Sequence, residues 1–182
     1  MKKIFGALIV LIFSGSLYGQ QIETCDSVTS FWIIEKDNTY YSLKLNGDVE
    51  VTNKESIISI NDYVLQYNIV GKDKYTTGGK KLKEIDILLN YVSSELKYIS
   101  GQFKTELETM AQKAPLSEDK DVVIWWYKMP EGMNEQVINQ LFACIIIDDK
   151  IFGIGSPQFT DQNFGQIRDF LMDEISTLKN VK

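Results

Sequence analysis

The stretch "QLFACIIIDDKIFGIGS", residues 140–156, decides the fold. Its two apolar runs, 140–147 and 150–156, are separated by Asp148 and Asp149, a residue type that favours tight turns. Because a tight turn reverses the chain, we expect two antiparallel strands. The first run is apolar on both faces, with Leu141, Ala143, Ile145 and Ile147 on one and Phe142, Cys144 and Ile146 on the other. Such a strand belongs inside a sheet that is covered on both sides.

A third strand of the same kind precedes them, "VVIWWYKM" at residues 122–129. Successive side chains of a strand point to opposite faces, so Trp125 and Trp126 cannot form one flat aromatic platform. We expect Trp125 in the core, together with Val123, Tyr127 and Met129. Trp126 lies on the face that ends in Lys128, which makes this pair a candidate ligand contact.

The N-terminal half is also rich in strand patterns: "SFWIIE" (30–35), "TYYSLKL" (39–45), "ESIISI" (55–60) and "YVLQYNIV" (63–70). Asn46-Gly47 follows the second of these and precedes "DVEV", which predicts a hairpin because both residues accept a positive φ. In the last run, Gln66 and Asn68 lie on the face opposite Tyr67. We expect the face with Gln66 and Asn68 to be at least partly in contact with water.

Two segments have helical periodicity instead. Apolar residues recur at helical spacing from Ile85 to Met110, which predicts a long amphipathic helix that ends near Ala114, before Pro115. Gly101 weakens this helix by about 1 kcal/mol relative to alanine. The second helix covers the C-terminal segment, and Asp161 is its expected N-cap.

The order strands, helix, strands, helix predicts an α+β fold, with a mostly antiparallel sheet of about six strands and two amphipathic helices packed on it. We expect residues 20–182 to form a single globular domain. In element order, the C-terminal half resembles PsbP/Mog1-like α+β domains, through "IWWYKM" (124–129), "FACIIIDDKIFGIGSPQF" (142–159) and "FGQIRDFLMDEISTL" (164–178). The resemblance implies PsbP/Mog1-like layering and assigns no functional residue.

Residues 1–19 have the pattern of a signal peptide: a positive start at Lys2 and Lys3, an apolar run from Ile4 to Phe13, and small residues up to Gly19. The apolar run is shorter than the ~20 residues of a membrane span. We therefore expect cleavage after Gly19, with cleavage after Ser16 as the second choice, and export to the periplasm or outside the cell. An uncleaved anchor helix is the alternative. No later stretch is long and apolar enough to be an integral membrane segment.

Composition excludes several chemistries. The chain has no histidine, so it can form neither a Ser-His-Asp nor a Cys-His catalytic arrangement, and no imidazole can bind a metal. With only two cysteines besides, we expect no zinc site, no other metal and no cofactor. The net charge of −6 disfavours a nucleic acid partner.

The two cysteines leave two alternatives open. Export would place Cys25 and Cys144 where disulfides persist, and a bridge between them would close a long loop worth ~4–5 kcal/mol on the chain-entropy model. Alternatively, Cys144 is a buried apolar thiol, as its neighbours in "LFACIII" suggest.

These observations favour a non-enzymatic binding or accessory protein whose ligand is an unidentified protein or glycan. The candidate ligand-binding residues are Trp126, Lys128 and Tyr75, since tyrosine and tryptophan offer large contact areas with a polar tip; the alternative is that these rings pack under the helices. A second class is a small hydrolase that uses carboxylates, with Asp148 and Asp149 as the visible pair. A third is an inhibitor or immunity-type interaction protein.

Overall fold

The structure is a computed structural model, and it describes residues 20–76, 82–118 and 120–181. The predicted signal peptide, residues 1–19, lies outside the described residues. The first described element begins at Gln20, directly after the predicted cleavage position.

The described residues form eleven strands, two α-helices and one short 3₁₀ helix (Lys72–Tyr75). In chain order the strands and α-helices are β1 (Gln20–Thr24), β2 (Thr29–Lys36), β3 (Thr39–Asn46), β4 (Val49–Val51), β5 (Ile57–Ile60), β6 (Tyr63–Gly71), α1 (Glu84–Phe103), β7 (Thr109–Ser117), β8 (Lys120–Lys128), β9 (Val137–Ile147), β10 (Lys150–Phe159), α2 (Phe164–Ser176) and β11 (Lys179–Val181). One sheet has the order β1-β2-β3-β11 and the other β4-β5-β6-β10-β9-β8-β7, and all their pairings are antiparallel. The predicted α+β class, with antiparallel strands and two helices, is confirmed.

Three hairpins have two-residue turns built from Asp and Asn. The predicted turn at Asp148-Asp149 joins β9 to β10, with Ile147 paired to Lys150. Equivalent turns join β2 to β3 and β5 to β6. The first turn residue has a positive φ in each, at Asp37, Asn61 and Asp148. Asp and Asn tolerate this left-handed conformation better than other non-glycine residues.

The predicted hairpin at Asn46-Gly47 is wrong. Strand β3 pairs with β2 and β11, whereas β4 pairs with β5 in the larger sheet, so this dipeptide carries the chain from one sheet to the other. Gly47 is required there for two reasons. Its φ is +142°, and a side chain at this position would collide with that of Asn61, which accepts a hydrogen bond from the Asp48 N–H at 3.0 Å.

The first helix is also shorter than the sequence predicts. It ends at Phe103, two residues after Gly101, and Lys104 adopts a left-handed cap conformation. Residues Thr109–Ser117 then form the edge strand β7 and pair with β8, and Pro115 is accommodated at this edge, where β7 has no further neighbour. Pairing with the next strand along the chain, which the helical spacing does not reveal, has replaced the last turns of the predicted helix. The strand β7, together with the short strands β1, β4 and β11, raises the strand number above about six.

The larger sheet is covered on both faces, with one helix on each. Helix α1 packs on one face, over a core that contains Trp125, Phe142 and Cys144. The opposite face packs against the smaller sheet and helix α2, through residues such as Trp32 and Leu171. Helix α2 is capped by Asn163, which accepts a hydrogen bond from the Gly165 N–H at 2.8 Å, two residues later than the predicted Asp161.

Candidate functional site

A small cleft lies on the α1 face of the larger sheet, where β10 contributes two glycines instead of side chains. Gly155 is paired with Gln66 of β6 on one side and with Phe142 of β9 on the other. One step along the strand on the same face, Gly153 is paired in the same way with Asn68 and Cys144. The two glycines form the floor of the cleft, and side chains from β6, β8, β9 and α1 form its walls.

The two glycines are not equivalent. A Cβ atom at Gly155 would lie 2.5 Å from Cδ1 of Phe142, so a side chain there collides with a neighbour. A Cβ atom at Gly153 would meet its nearest neighbour, the Tyr91 hydroxyl oxygen, at 3.6 Å, which is an ordinary contact. The space above Gly153 is therefore not explained by packing. The cleft has an accessible volume of about 10 Å³, close to the room that one water-sized group needs.

Two hydrogen-bond donors that line this cleft have no partner among the described residues. They are the indole Nε1 of Trp125 and the amide Nε2 of Gln66. Trp125 is only 2% exposed, and its ring stacks on Phe142 with centroids 4.1 Å apart, which fixes the indole in place. Because an unpaired buried donor costs about 1–3 kcal/mol, these atoms need an explanation, and a ligand that accepts hydrogen bonds would supply one.

Helix α1 closes one end of the cleft with the Tyr91 side chain. The Tyr91 hydroxyl accepts a hydrogen bond from Asn68 Nδ2 at 3.3 Å. Burial, together with the nearby Glu95 carboxylate, holds the pKa of Tyr91 well above its usual value, so its O–H stays protonated and able to donate. Burial raises the pKa of Glu95 itself to about 6. Glu95 is therefore mostly ionised at neutral pH and places negative charge near this end.

Cys144 lines the cleft as a protonated thiol. Its Sγ donates to the backbone carbonyl of Val123 at 3.5 Å, and burial, with a smaller contribution from Glu95, raises the pKa of the thiol far above its usual value. A thiol that stays protonated is a poor nucleophile. Cys25, by contrast, is exposed in the connection between β1 and β2, and the structure has both cysteines as free thiols.

The carboxylate pair considered for hydrolysis lies elsewhere, in the turn between β9 and β10. Asp148 Oδ2 accepts a hydrogen bond from Asn180, and Asp149 Oδ2 lies 3.4 Å from Lys150 Nζ. Of the described residues that line the cleft, none is a carboxylate or a basic side chain. The cleft thus combines donors with apolar walls, an arrangement suited to binding.

The structure separates the predicted ligand-binding residues. Trp126 is partly buried on the opposite face of the sheet, where its ring meets Phe164 edge-on at 4.9 Å. Lys128 is exposed, with its Nζ 3.8 Å from a Glu108 carboxylate oxygen. Tyr75 lies on the α1 face, where its ring contacts that of Tyr91 edge-on at 5.3 Å, so it alone of the three adjoins the cleft.

The sequence did contain a signal for this cleft. Gly153 and Gly155 are two residues apart in an otherwise apolar strand, and a glycine inside a strand often marks close approach of a ligand or another backbone. Gln66 and Asn68 have the same spacing in β6, but their face lies partly buried beneath α1. Residue pattern alone does not place β6 beside β10.

Within residues 20–76, 82–118 and 120–181, no three Cys, Asp or Glu side chains gather into a group that could hold a metal ion. None of the helices in the described part of the chain is long and apolar enough to cross a membrane.

Comparison with known proteins supports the fold. No protein-family model and no curated protein sequence matches the chain. Among solved structures, the chain is similar to the solution structure of cyanobacterial PsbP (CyanoP) from Synechocystis sp. PCC 6803, with a TM-score of 0.50 and 11% sequence identity over 90% of this chain and 92% of that one. At this identity the likeness concerns the fold alone, and it confirms the PsbP-like layering that the element order predicts.

Proposed function

We propose that this protein is an exported, non-enzymatic binding or accessory protein, and that the cleft over Gly153 and Gly155 is its ligand site. The observation that carries the proposal is the pair of buried donors without partners in the cleft lining, Trp125 Nε1 and Gln66 Nε2, together with a glycine at position 153 where an alanine would fit without a clash. A central strand loses stability by keeping glycine, and a bound ligand would account for that loss.

The chemistry of the cleft favours binding over catalysis. Hydrolysis by carboxylates requires two acids that flank the substrate. Asp148 and Asp149 instead contact Asn180 and Lys150 at the tip of a hairpin. The Cys144 thiol, which lies in the cleft, is held in its protonated form by burial.

A thermal-shift screen tests the binding function. The chain without residues 1–19 is melted in the presence of fractionated small molecules from the producing cells, and Gly153→Ala is melted beside it as the matched control. We expect at least one fraction to raise the melting temperature of the unmodified protein and not that of Gly153→Ala. If each fraction that raises the melting temperature of the unmodified protein raises that of Gly153→Ala equally, the cleft is not the ligand site.

Export is tested separately. We expect the full chain, produced in a bacterial host with a periplasm, to appear in the periplasmic or extracellular fraction with Gln20 as its first residue, because the cleavage pattern ends at Gly19. Every described element would survive this cut, since the first of them begins at Gln20. Recovery of the uncleaved chain in the membrane fraction would instead support an anchor helix.

A further inference from the structure

The chemistry of the cleft lining selects one kind of ligand group. We propose that the cleft binds an uncharged small molecule through a carbonyl oxygen, which accepts hydrogen bonds from Trp125 Nε1 and Gln66 Nε2. This inference rests on the binding function proposed above and specifies the chemical class of its ligand.

The hydrogen-bonding capacity of the walls supports an acceptor. An indole N–H can only donate, and both donors without a partner are N–H groups. A carbonyl oxygen has two lone pairs and no proton, so it can accept from both donors and leaves nothing unpaired. A hydroxyl or ammonium group would bring protons that these two donors cannot accept, so it would need other lining atoms, such as the Tyr91 hydroxyl oxygen, as acceptors.

Charge argues for a neutral ligand. None of the described residues that line the cleft is a lysine or arginine, so an anion would lose its hydration without gaining a counter-charge. The carboxylate of Glu95 acts on both Tyr91 and Cys144, which line the cleft, and its negative charge disfavours an anion further.

Size agrees with this assignment. The accessible volume of about 10 Å³ accepts one group the size of a water molecule, which matches a single carbonyl oxygen. The aromatic rings of Trp125 and Phe142, stacked 4.1 Å apart, provide an apolar wall for the atoms that carry the carbonyl.

The test uses N-methylacetamide as the neutral carbonyl probe, with acetate and methylammonium as charged probes of similar size. Binding is followed by the indole N–H resonances in nitrogen-15 correlation spectra. Trp126 and Trp32 belong to the opposite core and serve as internal references. The Trp125 resonance is assigned with Trp125→Phe, which keeps an aromatic ring and removes the donor.

We expect N-methylacetamide to shift the Trp125 resonance and to leave the two reference resonances in place. Gly153→Ala and Gln66→Leu should each weaken this binding at least tenfold, and both charged probes should bind at least tenfold more weakly than the amide. If Gln66→Leu does not fold, Gly153→Ala alone tests the site. This variant should fold, because its added methyl group makes only ordinary contacts.

Three results would overturn the inference. They are an unmoved Trp125 resonance, equal affinity in Gly153→Ala, and acetate binding as tightly as the amide. The last result would make the ligand anionic and leave the proposed binding function intact. The first would show that a carbonyl oxygen does not reach Trp125 Nε1, and the thermal-shift screen, which uses none of these probes, would still test the binding function.

Discussion

Gly153 faces the Tyr91 side chain across the cleft, with its Cβ position 3.6 Å from the hydroxyl oxygen. Alanine should therefore fit at position 153, and it has less conformational freedom to lose on folding than glycine. We expect Gly153→Ala to raise the free energy of unfolding by about 0.5–1 kcal/mol. Urea denaturation without ligand measures this change, and a loss above 1 kcal/mol would show that the position is packed.

Gly155 provides the matched control, because it lies in the same strand and on the same face. A Cβ atom there would lie 2.5 Å and 2.7 Å from two ring carbons of Phe142, whose ring is held against Trp125. We expect Gly155→Ala to lower the free energy of unfolding by about 1–3 kcal/mol, the usual cost of overpacking. Equal effects of the two alanines would contradict the geometry of the cleft floor.

Glu174 should make the protein less stable as the pH rises. This helix α2 carboxyl group is 5% exposed, and its Oε2 has no hydrogen-bond partner in the described structure. Burial, with a smaller contribution from Asp173, raises its pKa from 4.5 to about 7. Between these two values the unfolded chain ionises while the folded chain keeps its proton, so stability falls by about 3 kcal/mol. The fall ends once the folded group has also ionised, above pH 7.

The pH effect is measured by urea denaturation from pH 4 to pH 8 on the unmodified protein and on Glu174→Gln. The amide keeps the size of the side chain and cannot ionise, so we expect a clearly shallower fall. The slope that remains should include Glu95, whose pKa burial raises to about 6. Asp173→Asn, a change at an exposed neighbour, should keep most of the slope. Identical profiles for Glu174→Gln and the unmodified protein would refute the assignment.

The architecture was largely predictable because its signals are local. The turn at Asp148-Asp149 and the alternation of Trp125 and Trp126 follow from rules that involve neighbouring residues. The errors arose where pairing between strands outweighs the local residue pattern. Asn46-Gly47 has ideal hairpin chemistry, but β4 pairs with β5 in the other sheet. Residues after Lys104 have helical spacing, but β8 provides a strand with which they pair.

The candidate site was not predictable for the same reason. Gly153, Asn68 and Tyr91 come from three elements, and only the order β6-β10-β9 beneath α1 brings them together. The tryptophan doublet favours Trp126 as the ligand contact when only the sequence is considered, whereas the donor without a partner belongs to Trp125. Only the arrangement of neighbouring strands shows that the Trp125 indole N–H is buried without an acceptor among the described residues.

The cysteines should differ sharply in reactivity. Cys25 is exposed and Cys144 is fully buried. We expect iodoacetamide to label Cys25 alone in the native protein and both cysteines after unfolding without reductant, as counted by mass spectrometry. Absence of labelling in the unfolded, unreduced protein would show that the two are bridged, which would require Cys144 to leave its position against Val123.

Trp126→Ala distinguishes the cleft from the ligand surface first suggested by the sequence. Because Trp126 is partly buried and contacts Phe164, we expect the free energy of unfolding to fall by about 2 kcal/mol, less than the ~3–5 kcal/mol of a fully buried aromatic ring. Trp125→Ala should show that larger loss, since Trp125 is 2% exposed. The affinity for N-methylacetamide should be unchanged in Trp126→Ala, because this residue lies on the opposite face of the sheet from the cleft. If Trp126→Ala kept its stability and lost its affinity for N-methylacetamide, the binding surface would be that of Trp126 and Lys128.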